Sequence, residues 1–557
     1  MKMPSGLKIT LMAIFLLIFI SLAFPDERID KVNRIFNQWD KPDTPGCALA
    51  IIKDGKILYK RGYGMANLEL NIPISPQTVF YIGSVSKQFV AMCVAMLEKQ
   101  GKLSLDHDIR KYVPELPDFG SSITIRHLIH HTSGLRDYLT LLDIAGIDFG
   151  FFHQQDVLEL ISCQKELNFE PGEEYLYSNS GYFLLGLIVK RVSGKNLREF
   201  TKKNIFKPLG MRNSHFHDDY RMIIKNRASG YFPSKEEKYK NYISTYDCIG
   251  AGGLYTSVED LFLWDQNFYH CKVGGKDIIH QMHTRGKLNS GEKLDYAYAL
   301  VISSYKGLKT VQHGGALGGY RSAIIRFPEQ NFSVICLSNL SSLNPTGIAR
   351  QVADIYLADR FKEGKTAAEP EEKAKFIKLS QKILKEKVGS YMNRETGELR
   401  RLLLRDGRLI IEASGQKFPL AAVNKKEFQV LGGPTKFVIK FEKKTNAKPL
   451  IMHIYPEGDK PESYEVVKLI DPAPEQLKEY QGDYFSQELR VTFQLVLKEG
   501  KLYFVHRNAP RTPLRPTLKD RFTLRGWKIK FFRDIENEIS AFALSAGRVK
   551  NLRFYRK

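Results

Sequence analysis

The chain has 557 residues and a mass of 63.8 kDa, which corresponds to roughly three or four domain-lengths. Hydrophobic residues at 43% and charged residues at 26% exclude a wholly disordered, collagenous or polytopic membrane chain. The net charge of +23 favours anionic surfaces, but no zinc-finger, helicase or RNA-sheet motif accompanies it, so no nucleic-acid partner is expected. In chain order, Lys2 and Lys8 precede an apolar run from Ile9 to Ala23 that ends in Ser21-Leu22-Ala23. The run is short for a membrane span and closes on a small-x-small pattern, so residues 1–23 read as an export signal. The expected location is periplasmic or secreted; the alternative is an uncleaved N-terminal anchor.

Residues 47–62 carry two apolar runs around Asp54-Gly55, a hairpin signature. From Ser84 to Lys99 the apolar period changes to three or four, which predicts an amphipathic helix opened by Ser84 and stopped by Gly101. A second helix is predicted from Asn179 to Val192, closed by Gly194. Strands are predicted at Tyr296–Ser303, Lys309–Gln312, Tyr320–Arg326 and Phe332–Leu337, followed by a helix over Ile348–Phe361. Strands at both ends with helices between can build one sheet with helices packed on it. Of the six cysteines, Cys47, Cys93 and Cys336 lie in apolar runs, as buried thiols do, and no C-x-x-C occurs.

Residues 363–387 read as a Lys/Glu/Ala-rich linker. Beyond it an internal repeat appears: Gly389-Ser390-Tyr391, Leu402–Leu404 and Gly407-x-Leu409 recur as Gly482-Asp483-Tyr484, Leu495–Leu497 and Gly500-x-Leu502, always 93 residues on. Two homologous all-β units are therefore expected, at 388–470 and 471–557, each a small barrel or curled sheet. They carry more than half of the net positive charge, which suits a binding or gating module for an anionic cell-wall or membrane surface.

Three short elements could carry chemistry. In Ser84-Val85-Ser86-Lys87 a serine at a helix start shares its face with a lysine three residues on, the arrangement of an activated nucleophile. Alone it is weak, since Ser-x-x-Lys also starts at Ser5, Ser162, Ser290, Ser303 and Ser414. In Tyr177-Ser178-Asn179 a tyrosine could accept a proton if a cation lowers its pKa, and an asparagine offers a donor and an acceptor to an amide. His313-Gly314-Gly315 is the only His-x-Gly in the chain, and its glycines let a ligand backbone come close. The bland readings are a helix cap, a packed tyrosine and a turn.

Ser-x-x-Lys, then Tyr-x-Asn, then His-x-Gly, in that order, resembles the serine β-lactamase and penicillin-binding protein family, most closely its class C-like branch. Thr124–Leu135, Pro208–Met211 and Ala251–Leu254 are similar to stretches of that branch, and the resemblance spans roughly residues 28–360. It implies an α+β fold, an antiparallel sheet flanked by helices, for residues 24–362, followed here by the two small all-β domains. It implies Ser84 as nucleophile, Lys87 and Tyr177 sharing the proton traffic, and Asn179, His313, Gly314 and Gly315 at the substrate. The backbone N–H groups of Ser84 and Ala316 would form the oxyanion hole. No cofactor and no metal is implied, including at His127, His130 and His131. Class C β-lactamases carry a lysine where this chain has His313, which puts strong binding of a β-lactam carboxylate in doubt. The expected activity is hydrolysis of amides or peptides containing D-amino acids, of D-aminopeptidase or D-Ala-D-Ala carboxypeptidase type. An esterase or weak β-lactamase is the near alternative, and a non-catalytic cell-wall peptide receptor the alternative of another class.

Overall fold

A computed structural model describes residues 27–147, 152–243, 245–361, 376–413, 416–431, 437–442, 450–456, 461–506 and 509–557. The expected export signal, most of the linker and Ser414 lie outside the described residues.

The chain starts its main sheet with β1 (Cys47–Lys53) and β2 (Lys56–Tyr63). Asp54 and Gly55 take φ of 49° and 76°, the left-handed pair that a two-residue hairpin turn requires. Four later strands complete it: β3 (Val301–Tyr305), β4 (Leu308–Leu317), β5 (Tyr320–Phe327) and β6 (Phe332–Ser338). The sheet order is β3-β4-β5-β6-β1-β2, antiparallel throughout, with Cys47 opposite Ser338. Pairing β1 with β6 joins the two ends of the hydrolase region and leaves β1 central. Its apolar run is accordingly buried on both faces, whereas edge strand β2 alternates between exposed and half-buried positions.

One face of the sheet packs on Glu27–Phe36 and on α3 (Pro345–Tyr356). The other carries the larger core around α1 (Lys87–Lys99) and α2 (Asn179–Ser193). Helix α2 ends at Gly194 with φ 70°, as its sequence predicts. Cys47, Cys93 and Cys336 are buried free thiols, as is Cys248.

Several boundaries differ from expectation. Ser84 does not open an α-helix: Gly83–Ser86 form a 3-10 turn and the α-helix begins at Lys87. The strand expected at Lys309–Gln312 continues to Leu317, which takes His313-Gly314-Gly315 into the sheet rather than into a turn. The glycines are there for close approach: a β-carbon on Gly315 would stand 2.0 Å from Ile82 O. The strand expected from Tyr296 starts only at Val301, because Ala299 takes a φ of 54°. Helix α3 starts earlier than expected because Asn344 caps it, accepting from Gly347 N at 3.0 Å.

The two C-terminal units are all-β. Strands from Gly389–Met392 to Glu462–Val467 close an eight-stranded barrel. Strands from Gly482–Ser486 to Val549–Arg556 form a nine-stranded sheet whose first and last strands also pair. The repeat reappears in the register, with Gly389 opposite Leu402 and Gly482 opposite Leu495. Each first strand follows a short helix, Gln381–Lys385 or Pro474–Lys478. In each, a tyrosine hydroxyl reaches back to the carbonyl four residues earlier: Tyr391 to Lys387 O at 2.8 Å, Tyr484 to Tyr480 O at 3.0 Å.

Candidate active site

The 3-10 turn leaves Ser84 half-buried while Lys87, at the first turn of α1, stays fully buried. Lys87 Nζ lies 3.1 Å from Ser84 Oγ, 2.9 Å from Asn179 Oδ1 and 2.5 Å from Ala251 O. It also stands 5.0 Å from the centre of the Tyr177 ring. Burial drives its pKa well below the usual lysine value, against the pull of Asp137 and with a push from Arg548.

Tyr177 arrives from the segment just before α2. Burial pushes its phenol well above the usual tyrosine pKa, against the weaker pull of Ser84 and Arg548. The Ser84 hydroxyl lies near enough to lower that pKa a little. Even so, the phenol oxygen closes no hydrogen bond of good geometry among the described residues. His131, with φ 58°, packs its ring 4.1 Å from that of Tyr177 and accepts from Ser178 N at 3.1 Å. His127 takes part in the Thr124 helix cap. These two histidines thus do packing and capping work.

Asn179 is the first residue of α2 and is buried. Its amide bridges Lys87, through Oδ1, and Asp137, to whose Oδ2 it donates from Nδ2 at 2.8 Å and from the backbone at 2.6 Å. No local motif singles out Asp137, because only the fold sets it beside α2.

His313 is only 7% exposed. Its Nδ1 lies 2.6 Å from Gly314 O, which can only accept, so Nδ1 carries the proton and Nε2 accepts from the Tyr296 phenol at 3.1 Å. Burial and the nearby Lys87 lower its pKa to about 4. A neutral imidazole with both nitrogens engaged supplies no positive charge here.

Strand β4 outruns β3, whose pairing ends at Gln312, so His313–Leu317 lie along the turn that holds Ser84. A β-carbon on Gly315 would stand 2.9 Å from Ser84 N, and one on Gly83 would stand 2.6 Å from Ala316 N. Glycines at 83 and 315 thus let the backbone of Ser84 and that of Ala316 pack closely together. Ser84, Tyr177, Asn179, His313, Gly314, Gly315 and Ala316 all line one cavity of about 580 Å³. Ser303 falls on β3 and Ser162 on a separate helix, Gln154–Ser162; neither lines this cavity.

Known proteins match along the same stretch. The penicillin-binding protein 4* of Bacillus subtilis is 29% identical over 394 residues, covering 68% of this chain and 85% of that protein. A D-aminopeptidase of Gluconobacter oxydans is 28% identical over 359 residues, covering 63% of this chain and 64% of that protein, under two thirds of its length. Among solved structures, the octameric penicillin-binding protein homologue from Pyrococcus abyssi superposes with a TM-score of 0.55 at 27% identity, over 78% of this chain and 100% of that one. The Beta-lactamase family profile matches residues 32–358. Because that match takes in more than half of the chain, the protein belongs to the β-lactamase family and is a serine hydrolase.

Proposed function

We propose that this serine hydrolase cleaves amide or peptide bonds next to D-amino acids through a Ser84 acyl-enzyme. The observation that carries the reading is the buried Lys87 amine held 3.1 Å from the Ser84 hydroxyl. A neutral lysine has two N–H donors and one lone pair. With Asn179 Oδ1 and Ala251 O taking two N–H donors, the third position on Nζ faces Ser84, where the ammonium donates to Oγ and the neutral amine would accept from the hydroxyl.

Ser84 O–H passes its proton to Lys87 as Oγ attacks the substrate carbonyl. The oxyanion receives hydrogen bonds from Ser84 N–H and Ala316 N–H, each worth about 3 kcal/mol in the transition state. As the C–N bond breaks, the protonated Tyr177 phenol gives its proton to the leaving nitrogen and is recharged from Lys87. The second N–H of Asn179 is left for the substrate amide. Water then hydrolyses the acyl-enzyme by the reverse proton route. The D-amino-acid part is supported by the likeness to the D-aminopeptidase.

The basic excess of the β units supports docking on an anionic cell-wall or membrane surface, and the segment from Lys2 to Ala23 supports export. The test is a panel of D-amino-acid amides, D-Ala-D-Ala peptides, nitrocefin and p-nitrophenyl esters, with mass spectrometry of the trapped adduct. Turnover of D- over L-configured substrates, with the adduct on Ser84 and none in Ser84→Ala, is expected. Activity confined to esters with no D-preference would replace this reading with that of an esterase.

A further inference from the structure

We propose that Arg548, delivered by the second β unit, is a substrate-binding residue of the Ser84 cleft and selects substrates that carry a free carboxylate. This rests on the acyl-enzyme reading above and narrows its substrate class.

The hairpin of Ile539–Ala546 and Val549–Arg556 turns at Gly547, φ 50°, and places Arg548 at its tip. The tip is anchored on the hydrolase region. Arg548 O accepts from Asn168 Nδ2 at 2.9 Å and from Asp137 N at 3.4 Å, and Lys550 N donates to Asn168 Oδ1 at 2.7 Å. With the backbone held, the guanidinium carbon stands 4.7 Å from the centre of the Tyr177 ring and lines the same cavity as Ser84.

Its charge is largely uncommitted. Among the described residues its one ion-pair contact is Asp137 Oδ2 at 3.8 Å, and that oxygen already accepts two shorter bonds from Asn179. The guanidinium keeps a planar fork of donors, the shape that takes a carboxylate through two bonds.

The rest of the cavity points the same way. No Asp or Glu is among its described lining residues, so the lining offers no carboxylate to pair with a free ammonium group. The other lining cation, Arg321, already donates from Nη1 to Gly318 O and Tyr320 O. His313, at the position where class C relatives carry lysine, has both ring nitrogens occupied. The cation that its own motif lacks comes from another part of the chain.

The test uses two thioesters without any D-residue: hippuryl-thioglycolate, which ends in a carboxylate, and its thioglycolamide, which does not. The full-length wild type should prefer the carboxylate. Arg548→Ala should lower the carboxylate-to-amide ratio of kcat/KM about tenfold or more, Arg548→Lys should recover part of it, and Arg548→Glu should reverse it. A ratio unchanged in Arg548→Ala, even with both rates depressed, would mean that Arg548 acts only by positioning Asp137 and Asn179, and would overturn the proposal. So would a wild type that favours the amide or turns over neither thioester. Because no D-residue is present, loss of the D-peptide reading and loss of this one give different results. Melting curves of Arg548→Lys and Arg548→Ala separate recognition from misfolding.

Discussion

Lys87 and Tyr177 divide the proton work by burial. Desolvation disfavours the charged form of each, so the amine is pushed toward neutrality and the phenol toward retaining its proton. These directions suit the proposed roles of Lys87 as base and Tyr177 as acid. The rate should fall as pH drops through the Lys87 pKa, since an ammonium cannot take the Ser84 proton. Two neighbours set that limb with opposite signs: Asp137 raises the Lys87 pKa and Arg548 lowers it. Asp137→Asn should move the acid limb of kcat/KM to lower pH and Arg548→Ala to higher pH. A pH profile of both variants against wild type checks this, and shifts of the same sign would contradict it. The Ser-x-x-Lys pair was legible in the sequence because three residues of helical spacing suffice to bring its members together. The burial of Tyr177 was not legible, because the sequence does not reveal how completely a side chain is desolvated.

The helix Tyr138–Ala145 belongs to two cores at once. Tyr138 and Leu142 pack into the hydrolase core, while Leu141, Ile144 and Ala145 pack with Leu489, Phe493 and their neighbours in the second β unit. Beside it the fully buried Arg136 pairs with Glu488, which is 4% exposed, and donates to Lys550 O at 3.1 Å. Removing one member of such a pair strands a buried charge, at a cost of about 3–5 kcal/mol. Glu488→Ala should destabilise the protein by that order in denaturant titration, and Glu488→Gln by less because Gln still accepts a hydrogen bond. A chain ended at residue 365 should lose solubility and ester turnover, since it exposes Leu141 and Ile144 and leaves the buried Arg136 with only the half-exposed Glu166, 3.6 Å away, as an ion-pair partner. A soluble, active fragment would show that the second unit is only tethered. The repeat of 93 residues announced both β units, but not that the second is built into the hydrolase.

The whole molecule holds several histidines in their neutral form. Burial lowers His130, His217 and His313 to about 4, and holds His131 well below the usual histidine value. Their folded pKa values lie below the unfolded value near 6.5, so the unfolded chain binds more protons between the two. Their contribution is full above about pH 6.5 and is lost as pH falls toward 4, by up to about 1.4 kcal/mol per unit for each group. The midpoint of thermal unfolding should therefore drop steeply from pH 6.5 to 4, and His217→Gln should flatten the slope. An unchanged slope in that variant would mean that His217 is not held neutral.

Local spacing and periodicity by themselves determined the Asp54-Gly55 hairpin, helices α1 and α2 and the register of the two β repeats. Each of these depends on residues close in the chain, where backbone geometry and a period of two or three to four decide the outcome. The ordered motifs likewise marked Ser84, Lys87, Tyr177 and Asn179. Tertiary structure alone decided that His313 sits inside a strand with its charge removed, that Asp137 holds Asn179, and that Arg548 reaches the cleft from the last hairpin. Burial and charge proximity are properties of packed surfaces contributed by distant segments, and no local pattern encodes which segments will meet.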